Sequence, residues 1–452
     1  MPSTTDDPTP SRRAVLAGLA GLPAGAAGLA ARPARADTTA TVVTWNAYLG
    51  VDLFDLFDAR SIEDVRAIAG DLLSDARRHP YAVRADAIAA GIDAADADAV
   101  ALQEAAHLRS LPRGGATDDP DGGETVADLL ELVVGALADR GRPYEVAAET
   151  VTTDVRLPAD TPEGRVDVGL TDRVALLVRE GVDVRDTRSG RYDERLTFPL
   201  FGTDRSVTLR RGYCFADLTV DGAAVTVGST HLESASADAR ARQAEELLDA
   251  LPDGPVVVGA DLNSGPGGRT GAYDTVTDEL TDAHAALRPD DGADTCCQPS
   301  RLRNDRSRLS KRVDALLSSG GAGPTAVDRL GADPADRVPA TVDGEDVTVW
   351  PSDHAGVAAT FSLPSATAAP TASPTPSGGS AATGTPTGTA TGPGTAGTGP
   401  TTAGTDSETG TATPSAAAPA ETADGAGTGF GALAALAALL GGAFARGRDG
   451  ER

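Results

Sequence analysis

Residues 363 to 428 are almost entirely Thr, Ala, Gly, Pro and Ser, a run of 66 positions with scarcely a large apolar side chain. Such a stretch cannot bury enough surface to offset the entropy of ordering it, so whatever folds must lie before it. Its composition predicts a disordered stalk of the O-glycosylated type, spanning on average ~45 Å as a random coil. At the other end, Ser11-Arg12-Arg13-Ala14-Val15-Leu16 opens an Ala/Leu/Gly run that closes at Ala34-Arg35-Ala36. Paired arginines, a weakly apolar stretch and a small-residue cleavage site predict a twin-arginine signal over 1 to 36, hence export in a folded state by the Tat translocase. An ordinary N-terminal helix is the alternative.

The chain is strongly acidic. Its 39 basic and 66 acidic side chains leave a formal charge of −27, and Lys311 is its single lysine. Self-repulsion of that size is tolerated where molar salt shortens the Debye length to ~3 Å. The balance excludes a generally basic nucleic-acid binder and predicts a halophilic, archaeal-type protein. The three cysteines, Cys214, Cys296 and Cys297, are too few for a disulfide framework and have no zinc-ligand spacing, so stability must come from an ordinary apolar core.

Residues 37 to 362 are long enough for one substantial domain, expected to be monomeric. Strand-like runs occupy Ala40 to Trp45, Ala99 to Leu102, Val174 to Val178, Tyr213 to Val220, Ala223 to Gly228, Val256 to Gly259, Val313 to Leu317 and Gly356 to Phe361. Ile62 to Arg77, Tyr81 to Ala95, Thr125 to Ala138 and Ala235 to Leu251 repeat apolar residues at three- and four-residue spacing and read as helices. Strand-rich halves with helices between them predict an α/β sandwich of two packed mixed β-sheets flanked by helices.

Polar residues interrupt the apolar runs at their ends. In order these are Thr44-Trp45-Asn46, Ala101-Leu102-Gln103-Glu104, Ser229-Thr230-His231-Leu232, Gly259-Ala260-Asp261-Leu262-Asn263, Arg312-Val313-Asp314 and Ser352-Asp353-His354. The ordered set resembles the endonuclease/exonuclease/phosphatase superfamily over nearly all of 40 to 362. The resemblance implies a deoxyribonuclease I-like fold with the active site at the common edge of its two sheets. Phosphoester hydrolysis needs a hard cation, an activated water and donors for the charge on phosphate oxygens. Asn46 and Glu104 offer the oxygen ligands that Mg²⁺ prefers, with Mn²⁺ or Ca²⁺ as other candidates. The resemblance makes Glu104 the principal ligand, and Asp353 is a further metal contact or a base. Asp261 is the candidate general base, with Asn263 on the same side of the extended segment to orient it.

The resemblance also implies that His231 and His354 flank the scissile phosphate, each held by a carboxylate. Asp314 is by motif position the partner of His354. Asp172 is either the partner of His231 or a solvated turn acid. A histidine at position 231 favours relatives of deoxyribonuclease I, sphingomyelinase and the inositol-phosphate phosphatases over abasic-site endonucleases. Cys296 or Cys297 is expected to pair with its neighbour or with Cys214 after export. Arg301, Arg303 and Arg306 belong to the dense basic cluster of the domain, which either holds phosphates of an extended substrate or balances nearby acids.

Behind the stalk, Phe430 to Ala445 is an apolar run of 16 residues followed by Arg446 and Arg448. As a helix it reaches ~24 Å against a hydrocarbon core of ~30 Å, a marginal span. The stalk, Gly429-Phe430-Gly431, the apolar run and the arginines resemble the PGF-type sorting signal that archaeosortases process, with Thr428 where that motif has Pro. A plain membrane tail is the alternative. The expectation is therefore an exported, surface-attached, metal-dependent phosphoesterase with nucleic acid as first substrate class. A phospholipase C-like or phosphomonoesterase activity comes second, and a catalytically silent binding domain is the rival of a different class.

Overall fold

The computed structural model of the chain describes residues 38–114, 123–199, 206–268 and 271–364. The expected signal segment, the stalk beyond Pro364 and the C-terminal apolar run lie outside the described residues. Among the described residues no helix is long and apolar enough to cross a membrane.

The first part forms β1 (Thr39–Asn46), β2 (Ala99–Gln103), β3 (His107–Pro112), β4 (Glu124–Asp128), β5 (Tyr144–Thr161) and β6 (Gly164–Arg179), with α1 (Ile62–Arg78), α2 (Tyr81–Ala94) and α3 (Leu129–Asp139). The second part forms β7 (Asp183–Arg191), β8 (Leu196–Pro199), β9 (Ser206–Leu209), β10 (Gly212–Val220), β11 (Ala223–His231), β12 (Val256–Asp261), β13 (Thr281–Asp282), β14 (Asp314–Ser319), β15 (Gly323–Leu330), β16 (Val338–Val342), β17 (Glu345–Val349) and β18 (Gly356–Ser362). Its helices are α4 (Ala237–Ala250), α5 (Ala272–Thr277) and α6 (Ala283–Leu287). One sheet runs β15-β18-β1-β2-β6-β3-β4, with β5 also paired to β6, and the other runs β13-β14-β12-β11-β10-β7.

The expected sandwich of mixed sheets is what the chain forms. Period-two alternation sorts each strand between two cores. Val42, Leu176, Val227 and Val257 point between the sheets, whereas Val43 and Val100 pack under α2 and α3. On the far side Val256 and Val258 pack against Leu247 of α4. Burying each such side chain stabilises the fold by ~1.5–3 kcal/mol before entropy is counted.

Topology brings the polar strand ends together. β1 and β2 are parallel, as are β11 and β12, and each pair lies centrally in its sheet. Their carboxyl ends therefore share an edge with the starts of the antiparallel neighbours β18 and β14. Register does the rest: His231 lies opposite Asp261, and Asp261 opposite Asp314.

Two sequence expectations need correction. Thr125 to Ala138 is not one helix, because Glu124–Asp128 pairs with β3 and Asp128 then caps α3 by accepting from Glu131 N at 3.2 Å. A β-branched pair feeding an Asp favours strand followed by N-cap over an earlier helix start. The strand expected at Val174 to Val178 is the last third of β6, which forms a long hairpin with β5.

The sheets approach closely near the site because small residues face each other. A Cβ on Gly259 would stand 2.5 Å from Ala101 Cβ and 2.8 Å from Thr44 Cβ, neither of which can rotate away. Gly259→Ala should therefore destabilise the domain by ~1–3 kcal/mol. The expected result is a lower denaturant midpoint at unchanged slope in molar salt.

Candidate active site

Strand ends at the shared edge hold their side chains in a connected set. Asn46 closes β1, and its Nδ2 donates to Glu104 Oε1 at 3.1 Å and to Asp261 Oδ2 at 3.0 Å. Its Oδ1 accepts from Tyr48 N at 2.9 Å, so the amide bridges the carboxylates through nitrogen. Glu104 Oε2 accepts from Leu49 N at 3.0 Å. Asp261 Oδ1 accepts from Asn263 N at 2.9 Å. Tyr48, Glu104 and Asn263 have φ of 57°, 50° and 48°, left-handed conformations that cost ~1–3 kcal/mol each and cluster here.

His354 is 6% exposed, and its Nδ1 lies 2.8 Å from Asp314 Oδ2, the expected pairing. Trp45 Nε1 donates to His354 O at 3.2 Å, and Gly356 leaves room for the indole, whose Cδ2 would stand 2.6 Å from an added Cβ. Thr295 Oγ1 accepts from Val313 N and Asp314 N, and Gln298 N donates to Asp353 O at 2.7 Å. The Thr295-to-Gln298 segment thus straps β14 to the His354 loop. Cys296 and Cys297 are paired with each other, Cys214 is free and buried, and Cys297 Sγ lies 3.8 Å from His354 Nε2.

His231 departs from the expected pattern. Its Nδ1 faces Arg211 Nη1 at 3.0 Å, and its Nε2 faces Asn263 Nδ2 at 3.0 Å and Asp261 Oδ2 at 3.4 Å. Asp172 is neither its direct partner nor a solvated turn acid. It is buried, accepts from Thr152 Oγ1 at 2.9 Å, and stands 3.8 Å from Arg211. Arg211 also lies 3.7 Å from Glu233. An arginine sits where the resemblance put a carboxylate, because Gly212 pairs with His231 and Arg211 is the next residue toward the edge.

Sequence reading also missed Arg84, fully buried on α2, which donates to Pro351 O at 2.9 Å, Tyr48 O at 3.0 Å and Ala47 O. Nothing in a helix pattern marks such a residue. Arg301, Arg303 and Arg306 are exposed and line no part of the cavity that opens at this edge, whereas Arg308 and Lys311 do line it.

A family model described as the endonuclease/exonuclease/phosphatase family matches residues 43–354. The chain belongs to that family. It is accordingly a phosphoester hydrolase of the divalent-metal-dependent kind. A family protein from Bacteroides thetaiotaomicron is similar at 17% identity, with 72% of this chain and 98% of that one covered and a TM-score of 0.43. The mannosyl-6-phosphatase of the same organism is 17% identical over 71% and 99%, TM-score 0.42, and truncated Caenorhabditis elegans TDP2 is 18% identical over 72% and 98%, TM-score 0.37. No curated protein matches.

The donor chemistry fits the metal that this family uses. Burial pushes Asp353 up to about 7, helped by the charges of Glu104 and Asp261, and burial with Asp314 raises Asp261 as well. Crowded carboxylates that resist ionising are short of a cation, and oxygen donors suit a hard one. Ligand atoms of Asp261, Asp314 and His354 also lie within 4.8 Å of one another, but His354 Nδ1 already meets Asp314 Oδ2 at 2.8 Å, so that grouping reads as a histidine–carboxylate pair.

The histidines are driven in opposite directions. Burial, then the charges of Arg211 and His354, hold His231 well below the ordinary imidazole range. Burial also opposes charge on His354, but Asp314, Asp353 and Asp261 outweigh it and hold that imidazole well above. In metal-free protein, histidine-selective NMR should show His231 neutral at pH 6.5 and His354 still charged, losing its proton only above that. Asp314→Asn removes the foremost attraction, so burial should draw the His354 titration to lower pH; an unmoved titration would refute the pairing.

Proposed function

We propose that the chain is an exported phosphodiesterase that hydrolyses its ester by direct attack of water, with Asp261 as base and His354 as acid. The observation that carries this reading is the position of Asp261, 3.4 Å from His231 Nε2 and 3.9 Å from His354 Nδ1, with Asn46 tying it to Glu104. Glu104 with Asp353 would hold a divalent cation, most suitably Mg²⁺, which supplies charge neutralisation at the phosphoryl oxygens. Asn46 positions both carboxylates through its amide nitrogen.

In the reaction, water oxygen bonds to phosphorus as its proton passes to the Asp261 carboxylate. The phosphorus bond to the leaving oxygen breaks, and that oxygen takes the proton of His354, which Asp314 keeps charged beforehand. Arg211 can only donate, so Nδ1 of His231 accepts and the ring proton sits on Nε2, which requires the Asn263 amide, whose Nδ2 lies 3.0 Å away, to turn its N–H groups elsewhere, one of them to Leu232 O. His231 is then a fixed neutral donor toward a non-bridging oxygen. Asn263 holds Asp261 through its backbone N–H.

Nucleic acid is the first substrate class that the family resemblance suggests, and the arginine cluster is one feature that could hold its phosphates. With Arg301, Arg303 and Arg306 off the cavity, that support is reduced to Arg308 and Lys311 among its lining residues. The twin-arginine pattern, the stalk and the apolar C-terminal run support an enzyme carried out by the Tat translocase and held at the cell surface, with an archaeosortase as candidate processing partner.

EDTA should abolish hydrolysis of a p-nitrophenyl phosphodiester, and Glu104→Gln should raise the Mg²⁺ concentration needed for half-maximal rate before it affects folding. His354→Ala should lower kcat by ~10²-fold or more at little change in unfolding midpoint. Full activity of the metal-stripped protein, or a stable and fully active His354→Ala, would overturn the mechanism.

A further inference from the structure

The catalytic edge does not end in solvent. It continues into a cavity of about 940 Å³ whose lining includes Glu104, His231, Asp261 and His354 at one end. That volume lies near the top of the ~300–1,000 Å³ range of small-molecule sites. The lining also carries Asp52, Arg211, Gln298, Arg308, Lys311 and Asp353, but its larger part is apolar, and that apolar part is graded along one sheet face. On β5 and β6 the cross-strand pairs run Thr153 with Asp172, then Val155 with Leu170, then Leu157 with Val168. Polar residues stand beside the site, and apolar ones follow. At ~3.3 Å per residue the face from Asp172 to Val168 is about 13 Å long.

The opposite wall comes from the buried face of α1, including Leu72 and Leu73, and Phe198 and Leu209 from the β8-β9 region close the side. Interiors are otherwise packed with few voids larger than a water molecule. An apolar space of this length beside a phosphoester site therefore implies an occupant with hydrocarbon. A nucleobase or sugar placed here would leave its polar groups without partners, at a cost in free energy.

We infer that the cavity holds the hydrocarbon tail of a lipid-type phosphodiester whose phosphate sits at the Asp261 edge. The inference rests on the phosphodiesterase reading for the position of the phosphate, and it adds the substrate class. A tail of about eight carbons fills the graded face.

The test is a series of p-nitrophenyl phosphodiesters carrying methyl, butyl, hexyl or octyl as the second ester group, hydrolysed by the full chain in molar salt. Reaction and leaving group stay constant, so only tail binding changes. KM should fall on the order of 100-fold from methyl to octyl with kcat little altered. Ala69→Phe, on the cavity face of α1 and away from the reacting groups, should raise KM for the octyl ester at least ~10-fold and leave the methyl ester unchanged.

Calorimetric binding of octylphosphonate against methylphosphonate gives a readout that needs neither turnover nor the variant. Tighter octylphosphonate binding supports the tail site even if no ester is hydrolysed, a result that would sink the phosphodiesterase reading alone. Hydrolysis of the methyl ester with KM indifferent to tail length, or equal binding of the two phosphonates, would overturn the proposal and give the cavity to an apolar segment of the chain itself.

Discussion

Gln103 is the residue on which the alignment of the two sheets turns. It has no solvent exposure, and its Nε2 lies 3.1 Å from Thr44 Oγ1 on the neighbouring strand and 3.2 Å from Ser229 Oγ on the opposite sheet. Ser229 Oγ returns a bond to Leu102 O at 3.0 Å. Apolar faces alone would let sheets of Ala and Val slide, because hydrophobic burial has no direction. A buried amide left unpaired by such a slide costs far more than it contributes when paired, so the polar bolt selects one alignment. Asn46 and Glu104 on one sheet and His231 and Asp261 on the other stand within reach because that alignment holds one layer beneath them.

The edge so assembled is dominated by negative charge. Glu104, Asp261, Asp314, Asp353 and Asp172 converge on it, and the buried cations that answer them are Arg211 and Arg84. Arg211 is engaged with Asp172 and Glu233 and Arg84 with backbone carbonyls, and the pull of Arg84 and His354 on Asp353 does not overcome its burial. The raised carboxyls of Asp261 and Asp353 and the charged state of His354 are responses to one deficit. A hard cation removes it without adding a side chain.

The sequence was legible where chemistry and periodicity coincide. Apolar runs that end in Asn, Glu, His or Asp showed both where strands stop and that their ends share a purpose, and the structure gathers Asn46, Glu104, His231, Asp261, Asp314, Asp353 and His354 at one edge. Legibility failed where a residue's significance comes only from pairing. β5 mixes Asp, Glu, Thr and Pro158 with its apolar positions, so its 18 residues do not look like a strand, and only the continuous partner β6 makes it one. Arg211 is a second arginine before a strand until the register of β10 with β11 sets it beside His231. A cavity has no sequence signature, since its residues are chosen for what they leave unfilled.

The same hairpin explains why the two histidines are unequal. β5 and β6 extend along the sheet to carry an apolar wall, and at the end of that wall they deliver Asp172 rather than a carboxylate aimed at His231. Asp172 is pushed up to about 6 by burial, against the pull of Arg211, and it needs that guanidinium as much as the guanidinium needs it. Arg211 stands between Asp172 and Glu233 with its Nη1 3.0 Å from His231 Nδ1, and an imidazole that must accept there cannot take up a proton at the same nitrogen. His231 is thereby committed to its neutral form, while His354, facing Asp314, is committed to its charged one. A site whose proton donor and neutral hydrogen-bond donor are set apart by their neighbours does not depend on the solution to assign them, and in the proposed reaction each begins in the state that its step requires.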